Sequence, residues 1–133
     1  MTPDYNTGPK ELMTDRPYIL VVEDDDAIRL PLEKFLELRG FAVQSAITAG
    51  EALETIARRL PDGAIVDLRL PGGSGRDVAQ ALPATIPVVI FSGVPQEAGG
   101  VERSRPNTRL ILKPFSLVML VESLKKMIGQ RDA

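Results

Sequence analysis

The sequence predicts an α/β fold: a doubly wound, five-stranded parallel sheet with helices on both faces. Three observations predict it. Short strand-like segments recur five times, at 18–22, 41–46, 64–66, 88–91 and 110–112, and all but the second are uninterrupted apolar runs. The first of them, Tyr18–Val22, is continuously apolar without alternation, which is the pattern of a strand buried on both faces. The runs are separated by segments whose apolar residues recur at helical spacing, and strands alternating with helices imply right-handed crossovers and a parallel sheet. The length of 133 residues suits one domain, large enough for a core without disulfide or metal staples.

Residues 1–17 have no usable periodicity and contain Pro3, Gly8, Pro9 and Pro17, so they are read as a flexible tail before a domain over 18–130. After the first strand, Asp25 or Asp26 can cap a helix in which Ile28, Leu32, Phe35 and Leu36 share a face, with Gly40 as its stop. Pro31 lacks an N–H and crowds the preceding turn, so this helix is expected to bend or to begin late. The second strand, 41–46, is followed by Thr48 and Glu51 in capping-box spacing. The second helix is expected to bury a stripe of Ala52, Leu53, Ile56, Ala57 and Leu60. The third strand, 64–66, ends at Asp67, and Pro71-Gly72-Gly73-Ser74-Gly75 reads as a flexible loop before a short helix at 76–82. That loop lacks the Gly-Lys-Ser/Thr ending of a phosphate-binding P-loop and follows the wrong strand for one. A helix within 93–108 would be short and weak, given Gly93, Pro95, Gly99, Gly100 and Pro106. Ser116 can cap a last helix with Leu117, Leu120, Val121, Leu124 and Ile128 on one face.

Composition narrows the chemistry. The chain has no cysteine and no histidine, which excludes disulfides, thiolate or imidazole metal sites, Ser-His triads and phosphohistidine. Catalysis must use carboxylates, hydroxyls, lysine, arginine, backbone amides or a borrowed metal. The net charge is −2 with dispersed basic residues, so no nucleic-acid footprint is present. The apolar runs are too short to cross a bilayer, and the N-terminus lacks the apolar core of a signal peptide, so a cytoplasmic protein is expected.

In sheets of this kind ligands bind beyond the C-terminal strand ends. Glu23 and Asp24 follow the first strand with Asp25 behind them, Asp67 ends the third, Ser92 follows the fourth and Lys113 follows the fifth. Singly, the acids could be helix caps or turn residues, Ser92 a turn hydroxyl and Lys113 a solvated cation. Together on one rim they have a shared chemistry. Clustered carboxylates resist joint ionisation. Mg²⁺, a hard cation, relieves that repulsion and leaves room for phosphoryl oxygens. Lysine adds a second positive charge, serine a hydroxyl, and Asp67 a carboxylate nucleophile of the type that forms acyl phosphates.

Four pieces of the chain resemble the response-regulator receiver family: Ile19-Leu20-Val21-Val22-Glu23-Asp24-Asp25, Ile65-Val66-Asp67-Leu68-Arg69-Leu70-Pro71-Gly72, Pro87-Val88-Val89-Ile90-Phe91-Ser92-Gly93 and Leu112-Lys113-Pro114-Phe115. They occur in the family's order and cover about residues 18–128. The resemblance implies a flavodoxin-like sheet of order 2-1-3-4-5 and a phosphoacceptor at Asp67. It makes Glu23 and Asp24 the acidic pair. It implies Mg²⁺ held by Asp24, Asp67 and the backbone carbonyl of Arg69, with Glu23 contributing directly or through water. Ser92 matches the family's switch hydroxyl and Lys113 its phosphate-pairing lysine, and the Lys113–Pro114 bond is expected to be cis.

The departures from the family are specific. Leu110 stands where a Tyr or Phe is usual, the 67–92 segment is several residues shorter, and the fourth-helix region is rich in Gly and Pro. Arg69, two residues after the acceptor, is expected to tune dephosphorylation. The resemblance implies a signalling switch, not an enzyme, beyond self-catalysed phosphotransfer and autodephosphorylation. Its partners would be a histidine kinase or histidine phosphotransfer protein as donor and a downstream protein target. The protein would be a monomer or weak homodimer. With no output domain after residue 128, output is expected through protein contact or onward phosphotransfer. One alternative is a phosphorylation-independent receiver-like interaction module. Another is an Asp-nucleophile phosphohydrolase, against which Arg69 argues, because such enzymes usually carry a second Asp there.

Overall fold

A computed structural model describes residues 16–94 and 99–132. Residues 1–15 of the expected tail lie outside the described residues. The elements alternate as β1 (Tyr18–Val22), α1 (Asp26–Leu38), β2 (Ala42–Ala46), α2 (Ala49–Arg58), β3 (Gly63–Asp67), α3 (Gly75–Gln80), β4 (Val88–Ser92), α4 (Val101–Ser104), β5 (Thr108–Leu112) and α5 (Leu117–Asp132). The five strands form one sheet of order β2-β1-β3-β4-β5 with every neighbouring pair parallel. The sequence-based fold class and strand order therefore hold.

Strand periodicity divides the interior in two, because successive side chains point to opposite faces. Leu20, Val22, Ala64, Val66, Val88 and Ile90 pack one way, against Ala52 and Ile56 of α2, Val78 and Ala79 of α3, and Val101. Ile19, Val21, Ile65, Val89, Phe91 and Ile111 pack the other way, against Leu32 and Leu36 of α1 and Leu120, Val121, Leu124 and Ile128 of α5. Each fully buried aliphatic side chain contributes about 1.5–3 kcal/mol. These two layers hold β1 and β3 rigidly in the centre of the sheet, where the acidic residues emerge.

Helix starts follow the local chemistry. Asp25 caps α1, its Oδ1 accepting from the Ala27 N–H at 2.9 Å. Thr48 caps α2 by accepting from the Glu51 N–H at 3.0 Å, and Glu51 reaches back to the Ile47 N–H at 2.9 Å. The α1 chain ends as expected, with Gly40 at φ +93° and the Phe41 N–H returning to the Leu36 carbonyl.

Four expectations need correction. α1 does not begin late: it starts at Asp26 and includes Pro31. Pro31 and Ala27 are both exposed, so the carbonyl that Pro31 leaves without a donor lies on the wet side of the helix. The α2 stripe is narrower than expected: Leu60 lies beyond the helix end at Arg58, Leu53 and Ala57 sit on the exposed side of the helix, and Thr55 joins Ala52 and Ile56 on the buried face. The second strand begins at Ala42, and Phe41 is buried beside it. The glycine-rich segment is not a loose loop. Arg69–Leu70 pairs antiparallel with Gly73–Ser74, the turn made by Gly72 at φ +74°.

The short fourth helix is as expected, a single turn over Val101–Ser104. After it, buried Arg105 replaces secondary structure with side-chain bonds. Its guanidinium donates to the carbonyls of Pro83 at 2.6 Å and Ile86 at 2.8 Å, and to Thr108 Oγ1 at 2.9 Å. Glu102 accepts from the Leu110 N–H at 2.8 Å on the outer edge of β5. Among the described residues no helix is long and apolar enough to cross a membrane.

Candidate functional site

Adjacent parallel strands end at the same level, so the register decides what meets. β1 pairs with β3 as Val22↔Val66, and β3 with β4 as Asp67↔Phe91. The residue after Val22 and the residue after Val66 therefore lie side by side. Glu23, Asp24 and Asp67 each offer a carboxylate oxygen within 4.8 Å of the others, a grouping able to hold a metal ion. A cleft of about 740 Å³ opens over them, lined also by Arg69, Arg76 and Lys113.

Each carboxylate has its own setting. Glu23 is 1 % exposed; its Oε2 accepts from the Asp25 N–H at 2.9 Å, while its buried Oε1 has only the neighbouring carboxyl groups of Asp24 and Asp67 beside it among the described residues. Burial first, then the charge of Asp67 beside it, pushes the Glu23 pKa up to about 8, against the pull of the Asp25 N–H. Asp67 is half-buried, its Oδ1 accepting from the Arg69 N–H at 3.1 Å. Burial raises its pKa too, with Asp24 adding to the rise and the Arg69 N–H, Glu23 and Lys113 opposing it. Asp24 is exposed at the mouth. Buried oxygens that resist ionisation and lack donors are what a divalent cation satisfies. The donor set therefore fits Mg²⁺, which takes oxygen ligands and keeps several waters.

Lys113 reaches the cluster across Gly93. A Cβ built at Gly93 would meet Lys113 Cδ at 3.0 Å and lie 3.5 Å from its Nζ, so the glycine leaves the lysine its path. The Lys113–Pro114 bond is cis, as expected. Ser92 is buried and lines a smaller cavity together with Asp67 and Lys113. Its hydroxyl accepts from the Val94 N–H at 2.9 Å and donates to the Val94 carbonyl at 3.2 Å, closing a local turn.

The sheet rim thus assembles Glu23, Asp24, Asp67, Ser92 and Lys113 as the strand pattern implied. A family model of the response regulator receiver domain matches residues 19–125. The chain belongs to the response regulator receiver domain family of two-component systems.

This receiver domain has relatives of both kinds, curated sequences and solved structures. It is 34% identical over 123 residues to the transcriptional regulatory protein PrrA of Mycobacterium leprae (strain TN), an alignment covering 88% of this chain and 52% of that protein. The chain spans about half the length of the curated relatives it matches. The receiver domain (CheY-like) of Methanospirillum hungatei JF-1 superimposes with a TM-score of 0.79 at 26% identity, over 88% of this chain and 97% of that one. The CheY-like receiver domain of Methylobacillus flagellatus gives 0.71 at 25% identity, over 84% and 98%.

Sequence reasoning missed three supporting residues of this receiver domain. Gly75 opens α3 against the backbone of Asp67: a Cβ there would sit 2.3 Å from the Asp67 carbonyl oxygen. Ser74 caps α3 through the Arg76 N–H at 3.1 Å and touches the Leu68 carbonyl at 3.3 Å. Both occupy the glycine-rich segment, whose punctuation was the available signal. Arg29, behind the acidic pair, carried no signal beyond its helical position.

Proposed function

We propose that this receiver domain is a phosphorelay switch that accepts a phosphoryl group on Asp67 in a Mg²⁺-dependent reaction. The observation that carries the reading is the packing of Glu23, Asp24 and Asp67 within 4.8 Å, with a buried Glu23 oxygen that has no N–H donor among the described residues. Such a cluster resists full ionisation alone and accepts it with a cation present.

Asp24, Asp67 and the Arg69 backbone carbonyl would hold the metal, with Glu23 beside them directly or through water. When bound, the cation neutralises phosphoryl charge. The chain's own groups supply the rest. The Arg69 N–H orients the Asp67 carboxylate. A carboxylate oxygen of Asp67 attacks phosphorus, the bond from phosphorus to a donor imidazole nitrogen breaks, and the electron pair leaves with the imidazole. Lys113 meets the charge on the incoming phosphoryl oxygens. These 133 residues contain no histidine, so the phosphoryl group comes from a histidine outside them, on a histidine kinase or histidine phosphotransfer protein. Water attack on the acyl phosphate later releases inorganic phosphate, a step that Arg69, which lines the cleft, would tune. The product shifts a conformational equilibrium read by a downstream protein. The chain acts as a monomer or weak homodimer in the cytoplasm.

Ser92 gives the second reading its support. Its hydroxyl is already satisfied by Val94, Leu110 replaces the aromatic partner, and α4 is one turn long. Those features favour a phosphorylation-independent interaction module. Beryllofluoride with Mg²⁺ separates the two readings by amide NMR. The switch reading predicts Mg²⁺-dependent shifts at Asp67, Ser92, Val94 and Lys113. A spectrum unchanged by beryllofluoride at saturating Mg²⁺ supports the module instead.

A further inference from the structure

Arg29 lies on the first turn of α1, and helical position alone would make it a surface cation. Its guanidinium is instead largely enclosed, its side chain 13% exposed, and it faces the loop that carries the acidic pair. Nη1 donates to the Glu23 carbonyl at 3.1 Å and lies 3.5 Å from the Asp24 carbonyl. Nη2 donates to Asp26 Oδ1 at 2.5 Å, and Nε lies 3.5 Å from Glu33 Oε2. Glu33 in turn accepts from the Ser45 hydroxyl of β2. One planar fork therefore ties Glu23, Asp24 and Asp26 to each other and, through Glu33, to the neighbouring strand.

A cation placed behind a cation site ought to weaken it. Here Asp26 and Glu33 both contact the guanidinium and offset its charge. What remains is geometry, which arginine supplies better than lysine because its donors are fixed in a plane. Groups that orient metal ligands typically change affinity by 10–100-fold when removed.

We propose that Arg29 is the positioning residue of the acidic pair, holding the Glu23–Asp24 backbone so that both carboxylates meet Asp67 at the spacing a divalent cation requires. This rests on the reading of the rim as a Mg²⁺ site, and it assigns the support of that site to α1.

The test is calorimetric titration of Mg²⁺ into the full chain, its Arg29→Met and Arg29→Lys variants, with the melting temperature and amide exchange of each metal-free protein alongside. Met preserves length and helix propensity without donors; Lys keeps the charge without the fork. Both are expected to bind Mg²⁺ at least about tenfold more weakly. Amide exchange should accelerate at residues 23–26 while the core amides stay protected. If the parent binds no Mg²⁺, the reading of the site fails and the inference with it. If the parent binds and Arg29→Met binds equally or more tightly, Arg29 acts only through its charge or not at all, and the inference alone is overturned. Full recovery in Arg29→Lys overturns it as well.

Discussion

Glu23 is the residue whose titration reports on the whole site. Its ordinary value is 4.5 and burial beside Asp67 lifts it to about 8. Between those values the metal-free folded protein holds a proton that the unfolded chain has lost. The stability tied to that proton is complete below pH 4.5 and is lost as the pH rises through about 8. Asp67, also raised, pulls in the same direction. Thermal melts in metal-free buffer should therefore fall over that window, and Glu23→Gln should flatten the fall. Because a metal needs the ionised carboxylates, Mg²⁺ affinity should rise across the same window; affinity independent of pH would remove Glu23 from the site. The convergence of Glu23, Asp24, Asp67 and Lys113 was legible in the sequence because all four stand at the C-terminal ends of strands of one parallel sheet. The Ser92–Val94 turn and the Arg29 fork were not, since each depends on which way a side chain swings.

At the level of elements, the segment after β3 carries the clearest lesson. Its glycines read as looseness, yet Gly72 makes a tight turn and Gly75 lets α3 start against the backbone of Asp67. The composition announced a change of direction but not the hairpin, because two-residue strands leave no periodicity to read. Gly75→Ala would drive a Cβ to 2.3 Å from the Asp67 carbonyl oxygen, so α3 or the end of β3 must shift. We expect a loss of about 1–3 kcal/mol in denaturant unfolding, together with slower phosphorylation of Asp67. Pro31 misled in the other direction: a proline on an exposed helix face leaves its orphaned carbonyl to water, and α1 runs through it. The exposed Leu53 and Ala57 inside α2, and Leu60 beyond its end, show the limit of a stripe counted without knowing which side of the helix meets the sheet or where the helix stops.

Across the whole molecule, topology does most of the positioning. Strand order β2-β1-β3-β4-β5 sets β1 and β3 side by side in the middle, and the two buried layers clamp them. That much was visible from five strand-like segments and the helices between them, whereas the order itself came from the family resemblance. At the opposite end of the sheet, Arg105 ties the connection before β4 to the one before β5, and burial pushes its pKa down. Arg105→Met would leave the Pro83 and Ile86 carbonyls without that donor. A net cost on the order of 2 kcal/mol is expected from chemical unfolding, after allowing for the desolvation of the lost charge. Because Arg105 is remote from the acidic rim, Mg²⁺ affinity should stay unchanged in the folded variant.

The most direct measurement is the intact mass of the chain after incubation with acetyl phosphate, with and without Mg²⁺, followed by peptide mapping. One phosphoryl group should appear only when Mg²⁺ is present, should map to Asp67, and should be absent from Asp67→Asn while that variant keeps its fold. Equal labelling of Asp67→Asn, or of the parent in metal-free buffer, would contradict the account.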